Sequence, residues 1–171
     1  EMDRRLIRER ISRLKKELRE VEEHRERLRT QRKRSNLKVA ALVGYTSAGK
    51  SSLENALTGA GVLEDAMLFS TLDTTTRSLR LADTQEILLS DTVGFIRKLP
   101  HHLVEAFKST LEEARYCDVI LHVVDCSNPQ MDMQMHVVYE TLRRLDIKDK
   151  EIITVFNKVD RPDADTACRD M

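Results

Sequence analysis

No stretch of the sequence approaches 18 consecutive apolar residues, and no apolar segment opens the chain. A membrane-spanning helix needs about 20 such residues, so we expect neither a span nor a signal peptide. The chain also lacks a C-x-x-C pair, and its cysteines are odd in number: Cys117, Cys126 and Cys168. These absences argue against zinc binding and are typical of a reducing compartment, so we predict a cytoplasmic protein with core or surface thiols.

The chain carries no net charge over its 171 residues, but the charge is unevenly distributed. Residues 1–34 hold 14 Lys and Arg against 8 Asp and Glu, a net charge of +6, so the remainder has a net charge of −6. A basic arm therefore precedes an acidic body. Such an arm suits a polyanionic partner such as RNA, and it suits a solvated helix face equally well.

No glycine or proline interrupts residues 1–37, which predicts one helix over about 3–34, roughly 45 Å long. Its apolar residues recur with heptad spacing, except where Arg25 takes one slot: Ile7, Ile11, Leu14, Leu18, Val21 and Leu28. A heptad seam needs a partner. Either an upstream helix of a longer parent protein packs on residues 1–34, or the helix self-associates. We accordingly divide the chain into a basic, heptad-patterned helix, 1–36, and a second domain, 37–171.

A full match to the phosphate-binding loop G-x-x-x-x-G-K-[ST] occupies residues 44–51. The apolar run 38–43 before it suits a buried strand, and residues 52–57 after it suit a helix. Backbone N–H groups of such a loop wrap nucleotide phosphates, while Lys50 reaches the outer phosphates and Ser51 ligates Mg²⁺. The predicted ligands here are Gly44, Tyr45, Thr46, Ser47, Ala48, Gly49, Lys50, Ser51 and Ser52.

A second motif, Asn-Lys-Val-Asp at 157–160, follows the apolar run 152–156 and indicates which base is bound. At the carboxyl end of a buried strand, the Asp160 carboxylate can accept two hydrogen bonds from the ring N–H and amino group of guanine. Adenine cannot donate that pair. Asn157 would complete the base pocket and the Lys158 stem would cover the base. The motif therefore predicts GTP or GDP as the ligand.

A third motif, Asp-Thr-Val-Gly at 91–94, lies at the end of another predicted strand. Asp91 would hold Mg²⁺ through water, and the Gly94 N–H would meet the terminal phosphate. In the threonine-rich stretch upstream, one hydroxyl should close over Mg²⁺, with Thr75 favoured and Thr76 second. We predict that Lys50, Thr75 and Gly94 are catalytic and that Ser51, Thr75 and Asp91 bind metal. The three motifs together indicate a GTPase.

Four segments carry a closer resemblance: the sequence resembles the HflX GTPases at 44–51, 68–73, 91–101 and 103–114. The similarity extends over about 38 to 160, and the charged helix before it fits that family's linker. The resemblance implies a GTPase that binds the large (50S) ribosomal subunit and its rRNA and splits stalled or idle ribosomes. The alternative is a coiled-coil module that binds RNA or protein, with an inert or weakly nucleotide-sensing G domain.

Several residues near these motifs bear on catalysis. Phe95 stands where many GTPases carry a Gln that orients the attacking water, so we expect slow intrinsic hydrolysis that a partner stimulates. His101 and His102 are candidates for that water, although a role at a helix start, contacting solvent or a partner, is favoured. Ser47 replaces the Asn usual in the resembled family. Its shorter hydroxyl is a poorer cation ligand, so we expect little potassium activation.

The order of predicted elements indicates the fold. Predicted strands and helices alternate after residue 37, with strands at 38–43, 77–82, 86–91, 118–125 and 151–156 and helices at 50–58, 100–114 and 131–145. This predicts a three-layer α/β P-loop GTPase sandwich whose sheet is mostly parallel, with one antiparallel hairpin. The C-terminal strand and helix of a complete G domain are not found after residue 160. We therefore expect an uncovered sheet edge and a guanine pocket that lacks one wall.

Two further polar residues lie in predicted strands or helices. His122 lies in the otherwise apolar strand 118–125, and we expect it to be a core residue and not a ligand. Glu54 stands where the resembled family usually has a large apolar residue. The sequence offers no reason for a carboxylate there.

Overall fold

The computed structural model describes residues 2–34, 37–59, 76–81, 85–95, 111, 113–147 and 149–164. It divides into two compact units, residues 1–37 and residues 38–171.

The first unit is a single helix, α1, Met2–Arg34, as the absence of glycine and proline predicts. Ion pairs between residues four apart run along it, at 3.0 to 3.9 Å: Arg5–Glu9, Arg13–Glu17, Lys16–Glu20 and Glu23–Arg27. Each exposed pair contributes only a few tenths of a kcal/mol. The apolar side chains of the predicted seam from Ile7 to Val21 are about half exposed. The helix therefore presents an apolar face along much of its length.

The second unit is built on a five-stranded sheet in the order β2-β3-β1-β4-β5. All neighbouring strands are parallel except β2 and β3, which form the predicted antiparallel hairpin. The strands are β1, Lys38–Gly44; β2, Thr76–Leu81; β3, Gln85–Asp91; β4, Val119–Asp125; and β5, Glu151–Asn157. Two helices complete the named elements: α2, Lys50–Thr58, and α3, Met131–Arg144.

Alternation along β1 creates a core on each face of the sheet. One set of β1 side chains packs with Val138 and Leu142 of α3 and with Leu111 and Ala114 of a further helical stretch: Val39, Ala41 and Val43. The intervening residues, Ala40 and Leu42, pack on the opposite face with Ala48, Leu53 of α2 and Leu89. Helices thus cover both faces, which confirms the predicted three-layer arrangement.

Element bounds differ from the predictions by one or two residues. The strand expected at 118 begins at Val119, because the Asp118 carboxylate accepts hydrogen bonds from the Val39 N–H (2.9 Å) and Lys38 Nζ (3.1 Å). The helix expected to end near residue 114 continues to Tyr116, although its predicted start at 100 lies outside the described residues. Within the part of the chain described, β5 pairs only with β4, and Ile153 on it is about half exposed.

His122 lies in the core, as predicted. Its ring is fully buried and meets the Tyr139 ring of α3 edge to face, with centroids 5.2 Å apart. Burial lowers the pKa of His122 to about 4, so the imidazole is neutral at physiological pH.

Candidate functional site

The loop between β1 and α2 folds into the shape its glycines permit. Gly49 has φ +96° and Ser47 has φ +61°, and these left-handed residues turn the chain from the strand into the helix. Gly44 approaches β4 so closely that an added Cβ would lie 2.4 Å from the Val123 carbonyl oxygen. The motif's glycines are therefore required by backbone geometry.

Lys50 begins α2 beneath this loop. Its ammonium donates to the backbone carbonyls of Gly44 (3.4 Å) and Tyr45 (3.2 Å), and the side chain is buried. Burial lowers the pKa of Lys50 to about 8, while the neighbouring Asp91 carboxylate raises it. The residue remains mostly protonated at pH 7. A desolvated cation held in this way is suited to binding a phosphate.

Ser51 and Asp91 meet where α2 begins and β3 ends. The Ser51 hydroxyl donates to Asp91 Oδ2 at 2.7 Å, and Asp91 is buried. A hydroxyl and a carboxylate are the hard oxygen donors that Mg²⁺ prefers when phosphate and water supply its remaining ligands. Among the described residues no cluster of three or more His, Cys, Asp or Glu side chains could hold a metal. The Ser51 hydroxyl and the Asp91 carboxylate therefore fit the predicted magnesium site.

Gly94 packs directly against the phosphate loop. An added Cβ would lie 2.8 Å from Thr46 Cα and 3.2 Å from Lys50 Nζ. Two backbone hydrogen bonds hold the segment there: the Phe95 N–H donates to the Gly44 carbonyl (3.0 Å), and the Thr46 N–H donates to the Phe95 carbonyl (2.8 Å). The Phe95 ring is buried in the core, so it offers no group to orient water.

The predicted base-binding segment also reaches the phosphate loop. Asn157 Nδ2 donates to the Ala48 carbonyl at 2.9 Å, and Lys158 Nζ donates to the Ser47 carbonyl at 2.8 Å. Asp160 is exposed two residues further on. The structure therefore brings the second motif onto the first, across a sequence separation of about 110 residues.

The other predicted site residues are either not described or lie on neighbouring elements. Thr75, His101 and His102 fall outside the described residues. Thr76, the second choice for the magnesium threonine, begins β2, where its Oγ1 lies 3.4 Å from Ser90 Oγ of β3. Ser52 lies on α2 and is partly buried.

Sequence reasoning missed Asp125, the last residue of β4. Its Oδ2 accepts from Lys158 Nζ at 2.7 Å, and its Oδ1 accepts from the Ser127 N–H (3.0 Å) and hydroxyl (2.6 Å). Burial raises the pKa of Asp125, but the hydrogen bonds from Lys158 and Ser127 outweigh it and leave the pKa below its usual range. The signal was present in the sequence, because a carboxylate at the carboxyl end of a buried parallel strand faces the ligand edge of the sheet.

Glu54 has a charge partner. It is buried on α2, and its Oε2 lies 3.8 Å from Arg77 Nε on β2. A buried carboxylate requires such compensation, so Arg77 accounts for an acid where the resembled family carries an apolar residue.

Known proteins with similar sequences are also GTPases. A family model described as "50S ribosome-binding GTPase" matches residues 39–158. A protein named GTPase HflX from Lacrimispora saccharolytica is 67% identical over all 171 residues. The chain covers 40% of that relative's length and 37% of the lengths of two further relatives, which are also named GTPase HflX.

Solved structures give the same fold. A GTP-binding protein from the archaeon Sulfolobus solfataricus in complex with GDP matches with a TM-score of 0.62 and 29% identity, over 89% of this chain and 47% of that one. Era, in complex with MgGDPNP and a segment of 16S ribosomal RNA, matches with a TM-score of 0.54 and 29% identity, over 74% of this chain and 42% of that one. Among the described helices none is long and apolar enough to cross a membrane.

Proposed function

The chain belongs to the HflX family of ribosome-binding GTPases, and from this premise we propose that it binds GTP and GDP and hydrolyses GTP slowly. One observation carries the proposal: three motifs far apart in sequence converge on one loop. The Ser51–Asp91, Asn157–Ala48 and Lys158–Ser47 contacts, at 2.7 to 2.9 Å, join the motifs into a single site.

Each part of that site has a separate task. Lys50 and the loop's backbone bind the phosphates, and Asp160 with Asn157 selects guanine. Ser51, Asp91 and Thr75 would hold Mg²⁺, which supplies charge stabilisation to the phosphoryl oxygens when bound. Gly94 leaves room for the terminal phosphate beside Lys50, because any side chain there would fill the space.

Hydrolysis by this site alone should be slow. The buried Phe95 cannot orient the attacking water, and Ser47 offers a poor ligand for a potassium ion. Unassisted GTPases of this kind turn over on the order of 10⁻³ s⁻¹ or less. We infer that a partner supplies the missing stabilisation.

Nucleotide binding by the purified chain tests the proposal. Fluorescent GDP should bind and should be displaced by GTP but not by ATP. Lys50→Ala should abolish tight binding without unfolding the second unit, because its ammonium faces loop carbonyls and not an apolar core. Equal displacement by ATP, or undiminished binding by the Lys50 variant, would refute the assignment.

For the whole protein we propose binding to the large ribosomal subunit and its rRNA in the cytoplasm, followed by dissociation of stalled or idle ribosomes. The family description supports the ribosomal partner. Co-sedimentation of the full-length parent with 50S subunits should increase with a non-hydrolysable GTP analogue. Equal sedimentation with the analogue and with GDP would contradict a GTP-dependent role.

We also propose that an upstream helix of the parent protein packs along the apolar seam of α1. The half-exposed residues from Ile7 to Val21 support a helical partner. A coiled-coil module that binds RNA or protein independently of nucleotide is the second candidate, since the same surface would serve it. Substituting Ile11 and Leu18 with Ser should destabilise the full-length parent under the first proposal. The second predicts an unchanged stability and a loss of partner binding.

A further inference from the structure

We propose that Asp125 is a positioning residue of the guanine pocket, acting on the nucleotide only through the Lys158 ammonium. This inference rests on the proposed guanine nucleotide binding. It adds a fourth strand end, that of β4, to the site formed by β1, β3 and β5.

The two carboxylate oxygens of Asp125 accept hydrogen bonds from different residues. Oδ2 is bound by Lys158 Nζ at 2.7 Å, and Oδ1 is bound by the N–H and hydroxyl of Ser127. The Ser127 bonds fix the carboxylate's orientation within the turn after β4. The carboxylate then presents one oxygen to Lys158, whose side chain is largely buried beside it.

Lys158 occupies a position that needs such support. Its φ of +62° places it in the left-handed region, which L-residues other than glycine rarely adopt. Its ammonium joins Asp125 to the carbonyl of Ser47, which is itself left-handed at φ +61°. The ammonium thus ties two left-handed residues, on β5's end and in the phosphate loop, to one buried carboxylate.

The consequence for binding follows from the Lys158 stem. The motif assigns that stem to cover the face of the base, and the ammonium at its far end holds the stem there through two acceptors, Asp125 Oδ2 and the Ser47 carbonyl. Without its hydrogen bond to Asp125, the ammonium would keep the neutral Ser47 carbonyl as its acceptor. A charge-assisted hydrogen bond contributes about 1.5 to 3 kcal/mol, which corresponds to a roughly 10- to 100-fold change in affinity.

Asp125→Asn is the selective test. The Asn oxygen still accepts from the Ser127 N–H and hydroxyl, while its amide group places a donor opposite the Lys158 ammonium. We expect fluorescent GDP to bind about 10- to 100-fold more weakly to this variant. Ser127→Ala removes one donor from the other oxygen and should change the affinity less than about threefold.

Asp118 provides a matched control at the opposite end of β4. It too pairs with a lysine, Lys38 Nζ at 3.1 Å, and with a backbone N–H. Its pKa is likewise raised by burial and lowered further by those hydrogen bonds, to below its usual range. Asp118→Asn should leave the GDP affinity unchanged.

A double-mutant comparison separates positioning from general stabilisation. Lys158→Met should weaken GDP binding about as much as Asp125→Asn, and adding Asp125→Asn to it should change the affinity less than about twofold. Thermal unfolding without nucleotide is measured for every variant. If Asp125→Asn fails to fold, Lys158→Met still tests the same ion pair, because it changes the more exposed of the two partners.

The outcomes are distinct. If the unmodified chain binds no guanine nucleotide, the proposed function and this inference are overturned together. If the unmodified chain binds GDP, and the affinity of Asp125→Asn for GDP is within threefold of that of the unmodified chain, this inference alone is overturned. Independent, multiplicative losses in the double variant would also overturn it, because Asp125 would then act without Lys158.

Discussion

Replacing Gly49 with alanine should weaken the second unit far more than the same change at Gly59. Both glycines bound α2 and both have positive φ, +96° at the N-cap and +66° at the C-cap. They differ in what surrounds them. A Cβ at Gly49 would lie 2.2 Å from Asn157 Nδ2, whereas a Cβ at Gly59 would meet no atom of the described residues within 4 Å.

The magnitudes follow from the backbone conformation and from this contact. A left-handed alanine costs about 1 to 2 kcal/mol at either position. At Gly49 the displaced Asn157 also loses its hydrogen bond to the Ala48 carbonyl, worth about 0.5 to 1.5 kcal/mol. We therefore expect Gly49→Ala to cost about 2 to 3 kcal/mol of unfolding free energy and Gly59→Ala about 1 kcal/mol.

Urea unfolding followed by tyrosine fluorescence measures this difference. The chain has no tryptophan, and its three tyrosines all lie within residues 38–171, so the signal reports on the second unit. Adding Asn157→Ala to Gly49→Ala removes the group that the new methyl meets, so the combined cost should fall short of the sum by about 1 kcal/mol. Equal costs for the two glycine variants, or full additivity, would refute the packing argument.

Three further results are expected. His122 has a pKa of about 4 in the fold and about 6.5 when unfolded, so the free energy of unfolding should fall on acidification from pH 6.5 towards 4, by about 2.5 kcal/mol at pH 4.5. His122→Phe, which retains a ring against Tyr139, should therefore lose about 2.5 kcal/mol less of its unfolding free energy than the unmodified chain between pH 7 and 4.5, as measured by urea titration. Arg77→Leu should cost about 1 to 3 kcal/mol because it removes the ion-pair partner 3.8 Å from the buried Glu54 carboxylate, and adding Glu54→Leu should restore part of that loss; a double variant no more stable than Arg77→Leu would contradict the ion pair. In the full-length parent, exchanging sodium for potassium should change GTP turnover little, and Ser47→Asn should create a potassium response; fast, potassium-stimulated hydrolysis by the unmodified parent would contradict our interpretation of Ser47.

Local patterns are enough to predict most of the fold. The phosphate loop, its flanking strand and helix, and the antiparallel hairpin follow from short-range periodicity and turn chemistry, and the structure has them within two residues. Proximity to the carboxyl ends of parallel strands also predicts that Asp91 and Asn157 share a site. Both indeed contact the segment from Ala48 to Ser51.

Contacts between distant side chains are not predictable in the same way. The position of Asp125 at the end of a strand predicts that it faces the ligand edge of the sheet, but nothing local indicates that its carboxylate pairs with Lys158 Nζ at 2.7 Å, 33 residues later in the sequence. The pairing of Glu54 with Arg77 likewise depends on how α2 packs against β2. Such pairs are set by tertiary packing, so sequence periodicity reveals the strand and helix but not the partner.

The most direct test of the central claim is the base selectivity of nucleotide binding in the parent chain and in Asp160→Asn. We expect the parent to bind GDP at least about 100-fold more tightly than ADP, since adenine leaves the Asp160 carboxylate unpaired. Asp160→Asn should lose affinity for GDP and gain affinity for XDP, whose ring edge matches the amide. Equal binding of GDP and ADP by the parent, or unchanged selectivity in the variant, would contradict the assignment of this chain as a guanine nucleotide-binding protein.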